Sequence, residues 1–114
     1  MLRKTLKNRL DREVKRIVLE RDKNCITCDC RLDEFNATPG HFMKRRHHTT
    51  RWNLKNVNGQ CVICNVDDDT ELYRQAMILR YGKKLTRDLE ILAHQQIRFT
   101  NSELSALLVK LKST

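Results

Sequence analysis

At 114 residues, with a formal charge of +9 and a pI near 9.7, the chain is sized for one domain whose core is too small to be generous about stability. Apolar residues are 39% and aromatics 5%, which leaves room for a second stabilising device, and the five cysteines offer one as disulfides or as metal thiolates. The basic, amphipathic opening from Leu2 to Asp22 lacks the order of a secretion signal and no apolar run reaches membrane-spanning length. A cytoplasmic, reducing location with no membrane partner is therefore expected, which favours metal over disulfide.

Leu6, Leu10, Val14, Ile17 and Val18 recur at three- and four-residue steps, so residues 3–21 are expected to form one helix with a Lys/Arg-rich outer face, packed on the cysteine-bearing region. Residues 22–60 lack that periodicity. Asn24, Asp29, Asn36, Pro39, Gly40, Asn58 and Gly59 punctuate them as short strands and loops, with Phe35 and Phe42 as the expected apolar anchors. Beyond Cys64 the helical pattern returns. Asp67 to Thr70 offer caps and negative charge for a helix start, Leu72, Ala76 and Leu79 form its apolar stripe, and Gly82 stops it. A second tail helix is expected from about Thr86 to Ile97 on Leu85, Leu89, Leu92 and Ala93. The third opens on a Thr100-x-x-Glu103 capping box followed by Leu104, Leu107, Leu108 and Leu111, most simply as core, with a self-association face as the other reading. The expected organisation is a single domain over 1–114: a basic helix (1–23), a zinc-stapled core (24–82) and a helical tail (83–114).

Charge is unevenly placed. Lys and Arg dominate residues 1–24, 40–60 and 76–114, whereas the acids gather beside the cysteines: Asp29, Asp33 and Glu34 near the first pair, Asp67, Asp68, Asp69 and Glu71 after the second. Such a surface suits a protein that grips phosphate and places a cation against it, as well as a merely solvated basic protein.

Two Cys-x-x-Cys knuckles, Cys25/Cys28 and Cys61/Cys64, supply the four ligands that tetrahedral zinc takes, two sulfurs from each tight turn. A redox disulfide is the alternative for a single Cys-x-x-Cys, but neither pair has the strand–helix context for it. Zinc binding in small peptides is worth roughly 10–16 kcal/mol, comparable with the whole stability of a domain. Cys30 either replaces Cys28 or is a spare thiol, and the symmetric spacing favours the second. With all four positions filled by protein, this ion is structural, and any catalytic metal is a second ion.

Between the knuckles lie Gly40-His41-Phe42 and the asparagines Asn53 and Asn56, and Asn65 directly follows the last cysteine. A neutral histidine can act as general base and a hard divalent cation can bind a scissile phosphate; His41 as a further zinc-site or core histidine, and the asparagines as turn caps, are the plain alternatives. His, then Asn five residues before a Cys, then Cys-x-x-Cys-Asn resembles the HNH, or ββα-metal, nucleases built on a treble-clef zinc knuckle. Gly-His-Phe, Arg51-Trp52-Asn53-x-x-Asn56-Val57-x-x-Gln60-Cys61-Val62-x-Cys64-Asn65, Glu20-Arg21-Asp22 and Cys25-Ile26-x-Cys28 are similar to the NinG (Rap) recombination proteins of lambdoid phages, specifically over residues 18–65 and more loosely through Lys112.

That resemblance implies an α+β treble-clef HNH domain and a metal-dependent endonuclease acting on branched double-stranded DNA such as Holliday junctions and strand-invasion intermediates. It implies His41 as general base, Asn56 as the residue holding the catalytic loop, and Asn65 as a ligand of catalytic Mg²⁺ or Mn²⁺. Many such sites place Asp or His directly before the catalytic histidine, where this chain has Gly40. A nearby acid must then substitute, with Asp67 the first candidate and Asp68 and Asp69 beside it, or His41 itself becomes a ligand. Lys44, Arg45, Arg46, Arg51 and Lys55, with His47 and His48, form a loop expected to bind phosphate without reading bases; neutralising about six phosphates would cost around a thousandfold in affinity between 50 and 200 mM salt. Trp52 can stack on an unpaired base or belong to the core, and His94 has no expected role. The alternatives to an enzyme are a non-catalytic zinc-dependent DNA-binding module and an adaptor whose leucine tail docks a recombination protein. Paired cutting of junctions makes a homodimer attractive.

Overall fold

The computed structural model describes all 114 residues. Helix α1 (Arg3–Arg21) is followed by strand β1 (Ala37–His41), the short helix α2 (His48–Arg51), strand β2 (Val57–Cys61) and helices α3 (Val62–Asp67), α4 (Thr70–Tyr81), α5 (Lys83–Ala93) and α6 (Asn101–Lys112). The two strands pair antiparallel, His41 opposite Val57 and Ala37 opposite Cys61. No helix is long and apolar enough to cross a membrane.

The five periodic residues of α1 are all buried and pack with Leu104, Leu108 and Leu111 of α6 and with Trp52 and Val57. Each such aliphatic burial is worth roughly 1.5–3 kcal/mol, so the α1–α6 pairing is the larger of two cores, and the tail leucines belong to it rather than to a free face. The α6 capping box forms as its sequence predicts: Thr100 Oγ1 accepts from the Glu103 N–H at 3.1 Å, and Glu103 accepts from the Thr100 N–H at 3.0 Å. A second core gathers Phe42, Tyr73, Met77 and Leu89. Since side chains alternate across a strand, Val57 and His41 face α1 while Gly40 and Asn58 face α4. The Tyr73 hydroxyl donates to the Gly40 carbonyl at 2.7 Å, and Asn58 Nδ2 donates to Tyr73 at 3.3 Å.

Several expectations need correcting. Phe35 anchors nothing and is 85% exposed, because residues 33–36 close an Asx turn in which Asp33 accepts from the Phe35 and Asn36 N–H groups. The buried face of α4 is Tyr73 and Met77, while Leu79 is 91% exposed. An aliphatic count misses that face because its anchor is a tyrosine whose hydroxyl finds a buried carbonyl. Helix α5 begins at Lys83 and ends at Ala93, short of Ile97. The brief α3 has no periodic signal, and among the aspartates it is Asp69 that caps α4, accepting from the Leu72 N–H at 3.0 Å.

Helix α1 ends where Asp22 turns extended and enters the interior. Its carboxylate accepts from Arg21 Nε and Nη2 and from Arg80 Nη2, each at 2.8 Å, and from the Gly59 N–H at 2.7 Å. One carboxylate thus joins α1, β2 and α4. Burial by itself would raise its pKa, but these donors outweigh burial and hold it at about 2. The stabilisation is complete above the ordinary aspartate range and disappears as pH falls through about 2, a contribution of about 2 kcal/mol. Asp22→Asn is expected to cost about 3 kcal/mol at pH 7 by leaving two arginines without their charge partner. In urea unfolding, the gap between wild type and variant should narrow between pH 4 and pH 2; a gap independent of pH would contradict this role.

Candidate functional site

The first knuckle is shaped by backbone. Asp29 adopts a left-handed conformation (φ 64°), its N–H donating to the Cys25 carbonyl at 2.9 Å, and the Cys25 N–H donates to the Cys30 carbonyl at 2.8 Å. The second knuckle starts α3: Cys61 is its N-cap, accepting from the Cys64 N–H at 3.5 Å. The sulfurs of Cys25, Cys28, Cys61 and Cys64 all lie within 4.8 Å of one another, and Cys28 and Cys61 are 3.8 Å apart. Tetrahedral Zn–S bonds of about 2.3 Å require sulfurs roughly 3.8 Å apart, so the cluster has the dimensions for a metal such as zinc. Its thiols also compete for charge. Hydrogen bonds from the Cys30 backbone and side chain pull Cys28 down to about 7, while burial and the neighbouring sulfurs push Cys64 up. Several thiolates this close repel one another, and a divalent cation removes that conflict. Cys30 lies outside the four-sulfur group.

His41 ends β1 and lines a cavity of about 660 Å³ between α1, the 42–56 loop and α3. Its Nε2 lies 3.0 Å from the Arg51 carbonyl. A carbonyl only accepts, so Nε2 carries the proton and Nδ1 keeps the free lone pair. Burial pushes its pKa down to about 4, with nearby Arg45 adding to the effect and the Arg51 carbonyl opposing it. At neutral pH the ring is an uncharged acceptor.

Asn56 fixes the loop carrying that carbonyl. It is fully buried; Oδ1 accepts from the Met43 N–H at 2.8 Å and Nδ2 donates to the carbonyls of Met43 and Thr50 at 3.0 and 3.1 Å. One side chain therefore satisfies three backbone groups on both sides of the loop. Asn53 closes an Asx turn on the Lys55 N–H at 2.9 Å.

Asn65 and Asp68 line the same cavity as His41, and Asp67, although exposed on α3, does not. Asn65 Nδ2 donates to Thr38 Oγ1 at 3.1 Å, which leaves its oxygen uncommitted. Asp68, left-handed at φ 53° as the C-cap of α3, pairs with Lys44. Gly40 cannot be replaced by an acid without rearrangement, because a Cβ there would sit 2.9 Å from Gln60 Cδ. Gln60 is held over it by a 2.8 Å bond to Thr27.

The basic residues divide. Arg51 is 12% exposed and donates to Asp11 through Nε at 3.0 Å and Nη2 at 2.6 Å; Arg45 and the Trp52 indole reach the same carboxylate at 2.9 and 2.8 Å. Arg46 and Lys55 are exposed, and their side chains form no hydrogen bond or ion pair. His48 leans on Trp52, ring centroids 5.7 Å apart, and His47 on His94 at 5.0 Å. Trp52 is core. Asp11 is the residue that sequence reasoning missed. It holds Arg51, whose carbonyl orients His41, and its only advance signal was an acid beside the apolar stripe of α1 in a chain with one tryptophan N–H to satisfy.

A family model described as Bacteriophage Lambda NinG protein matches residues 2–114, so the chain belongs to the NinG family. Comparison with curated proteins and with solved structures gave no match.

Purified protein is expected to carry one zinc per chain. Cys61→Ser should abolish metal retention and the cooperative thermal transition, while Cys30→Ser leaves metal content unchanged. Loss of zinc in Cys30→Ser would mean that the fourth ligand is wrongly assigned.

Proposed function

We propose that this member of the NinG family is a metal-dependent endonuclease of the HNH type, acting on branched recombination intermediates of DNA such as four-way junctions. The observation that carries the reading is the shared cavity of His41, Asn65 and Asp68, with a neutral histidine whose orientation is fixed through a loop pinned by Asn56. Family membership and the order of elements support it: an antiparallel pair, then a helix bearing Asn65, adjoining a cysteine cluster in the manner of a treble clef.

In this reading His41 Nδ1 takes a proton from the attacking water, and the Arg51 carbonyl stabilises the imidazolium that forms. The low pKa makes His41 a weak base but keeps it unprotonated well below neutral pH. The uncommitted Asn65 oxygen and the Asp68 carboxylate are hard oxygen donors of the kind Mg²⁺ and Mn²⁺ take. When bound, such an ion would neutralise the scissile phosphate and the leaving oxygen. Asp68 takes the part first considered for Asp67, because it is the aspartate lining the cavity. Lys44 then either yields Asp68 to the cation or contacts the phosphate itself. The exposed Arg46 and Lys55, with the partly exposed Arg45, hold the DNA backbone without reading bases.

Two observations favour a second reading, a DNA-binding module without catalysis: Gln60 fills the space beside Gly40, and the substitute carboxylate already has Lys44 as partner.

His41→Ala is expected to lower Mg²⁺-dependent nicking of a four-way junction by about 10²–10⁴-fold, the usual worth of a general base, with junction affinity within about twofold of wild type. Wild-type protein that binds the junction but never nicks it with Mg²⁺ or Mn²⁺ would support the binding module instead.

A further inference from the structure

A second concavity of about 410 Å³ lies between the 46–49 segment and the connection from α5 to α6, lined by Arg46, His47, His48, His94 and Arg98 among others. It shares no residue with the His41 cavity. A third, of about 740 Å³, bridges them: it has Lys44, Arg45 and Asp68 in common with the first, and Arg46, His47 and His94 in common with the second. The three form one continuous groove.

We propose that the tail end of this groove is a phosphodiester-binding site for DNA, built jointly by the loop and the α5–α6 connection, extending the substrate track beyond His41. The inference rests on the DNA-binding part of the proposed function. Arg46 and Arg98 are exposed and form no ion pair or hydrogen bond, so their full charge faces the concavity. Most carboxylates along the groove are already engaged: Glu90 takes a forked contact from Arg74 at 3.1–3.3 Å, Asp68 takes Lys44 and Asp11 takes Arg45 and Arg51, while Glu71, in the bridging concavity and away from the tail end, meets only Gln75.

The C-terminal end of α5 would ordinarily repel an anion. Here its carbonyls are covered. Thr49 Oγ1 donates to the Leu92 carbonyl at 2.7 Å, His94 Nδ1 to that of Glu90 at 2.8 Å, and the His94 N–H to that of Ile91 at 3.2 Å. The exposed Gln95 and Gln96 side chains add neutral donors. A site of charge and amide donors without a Phe, Tyr or Trp platform suits backbone phosphate rather than bases.

The test measures affinity of the zinc-loaded full chain for a fluorescent four-way junction from about 50 to 200 mM KCl, without added Mg²⁺ so that no cleavage intervenes. Arg46→Gln with Arg98→Gln is compared with Lys83→Gln plus Arg87→Gln, which removes the same charge from the exposed surface of α5 outside the groove. Two lost phosphate contacts at about 0.9 each should make the log–log salt slope shallower by about 1.8 and weaken binding about tenfold at about 100 mM, with the control changing less than about threefold. Arg98→Gln alone should give about half the slope change. Equal losses in both double variants, or an unaltered slope in Arg98→Gln, would overturn the site. Unchanged melting temperatures exclude misfolding. The nuclease reading fails separately, on absence of nicking by protein that binds.

Discussion

Bringing four sulfurs from two distant turns to one point is the constraint on which the rest of the site depends. Cys25 and Cys28 belong to a turn closed only by an isolated bridge between Asn24 and Arg31, while Cys61 is at once the last residue of β2 and the N-cap of α3. Closing the cluster fixes the end of the strand pair, and the helix that begins there carries Asn65 toward the cavity holding His41. A six-residue helix is too short to form by its own propensity. Its position is inherited from the cysteines, and with it the geometry proposed for the reaction.

Two carboxylates then set how the basic residues are used. Asp22 binds Arg21 and Arg80 and locks α1 to β2 and α4; Asp11 binds Arg45, Arg51 and the Trp52 indole and locks the same helix to the loop. Asp11 projects from the middle of α1 and Asp22 caps its end, so the first helix serves as the frame of the site. The consequence for DNA is a smaller set of free cations than the charge suggests. Within the 42–56 loop Arg51 is structural and Lys44 and Arg45 are paired, which leaves Arg46 and Lys55, joined from the tail by Arg98.

The parts of the fold carried by strong local signals were legible in the sequence. The α1 stripe, the Thr100–Glu103 box and the paired knuckles each follow from spacing alone, and each stands as expected. What was not legible depends on partners distant in the chain. Tyr73 finds a buried partner in the Gly40 carbonyl, a side chain at Gly40 would displace the Gln60 amide, and Asp11 matters because Trp52 and Arg51 arrive from about forty residues away. Asn56 is intermediate: the family pattern suggested its role, and its three bonds across the loop supply the physical reason.

The central claim is that the cavity beside His41 takes a divalent cation through Asn65 and Asp68. Crystals of the zinc-loaded protein soaked in Mn²⁺ test it directly, with anomalous differences collected on the manganese edge. The account predicts a peak within coordination distance of the Asn65 side-chain oxygen and the Asp68 carboxylate, beside His41 and distinct from the cysteine cluster. Manganese confined to surface acids such as Asp33 and Glu34, with nothing between Asn65 and Asp68, would contradict it.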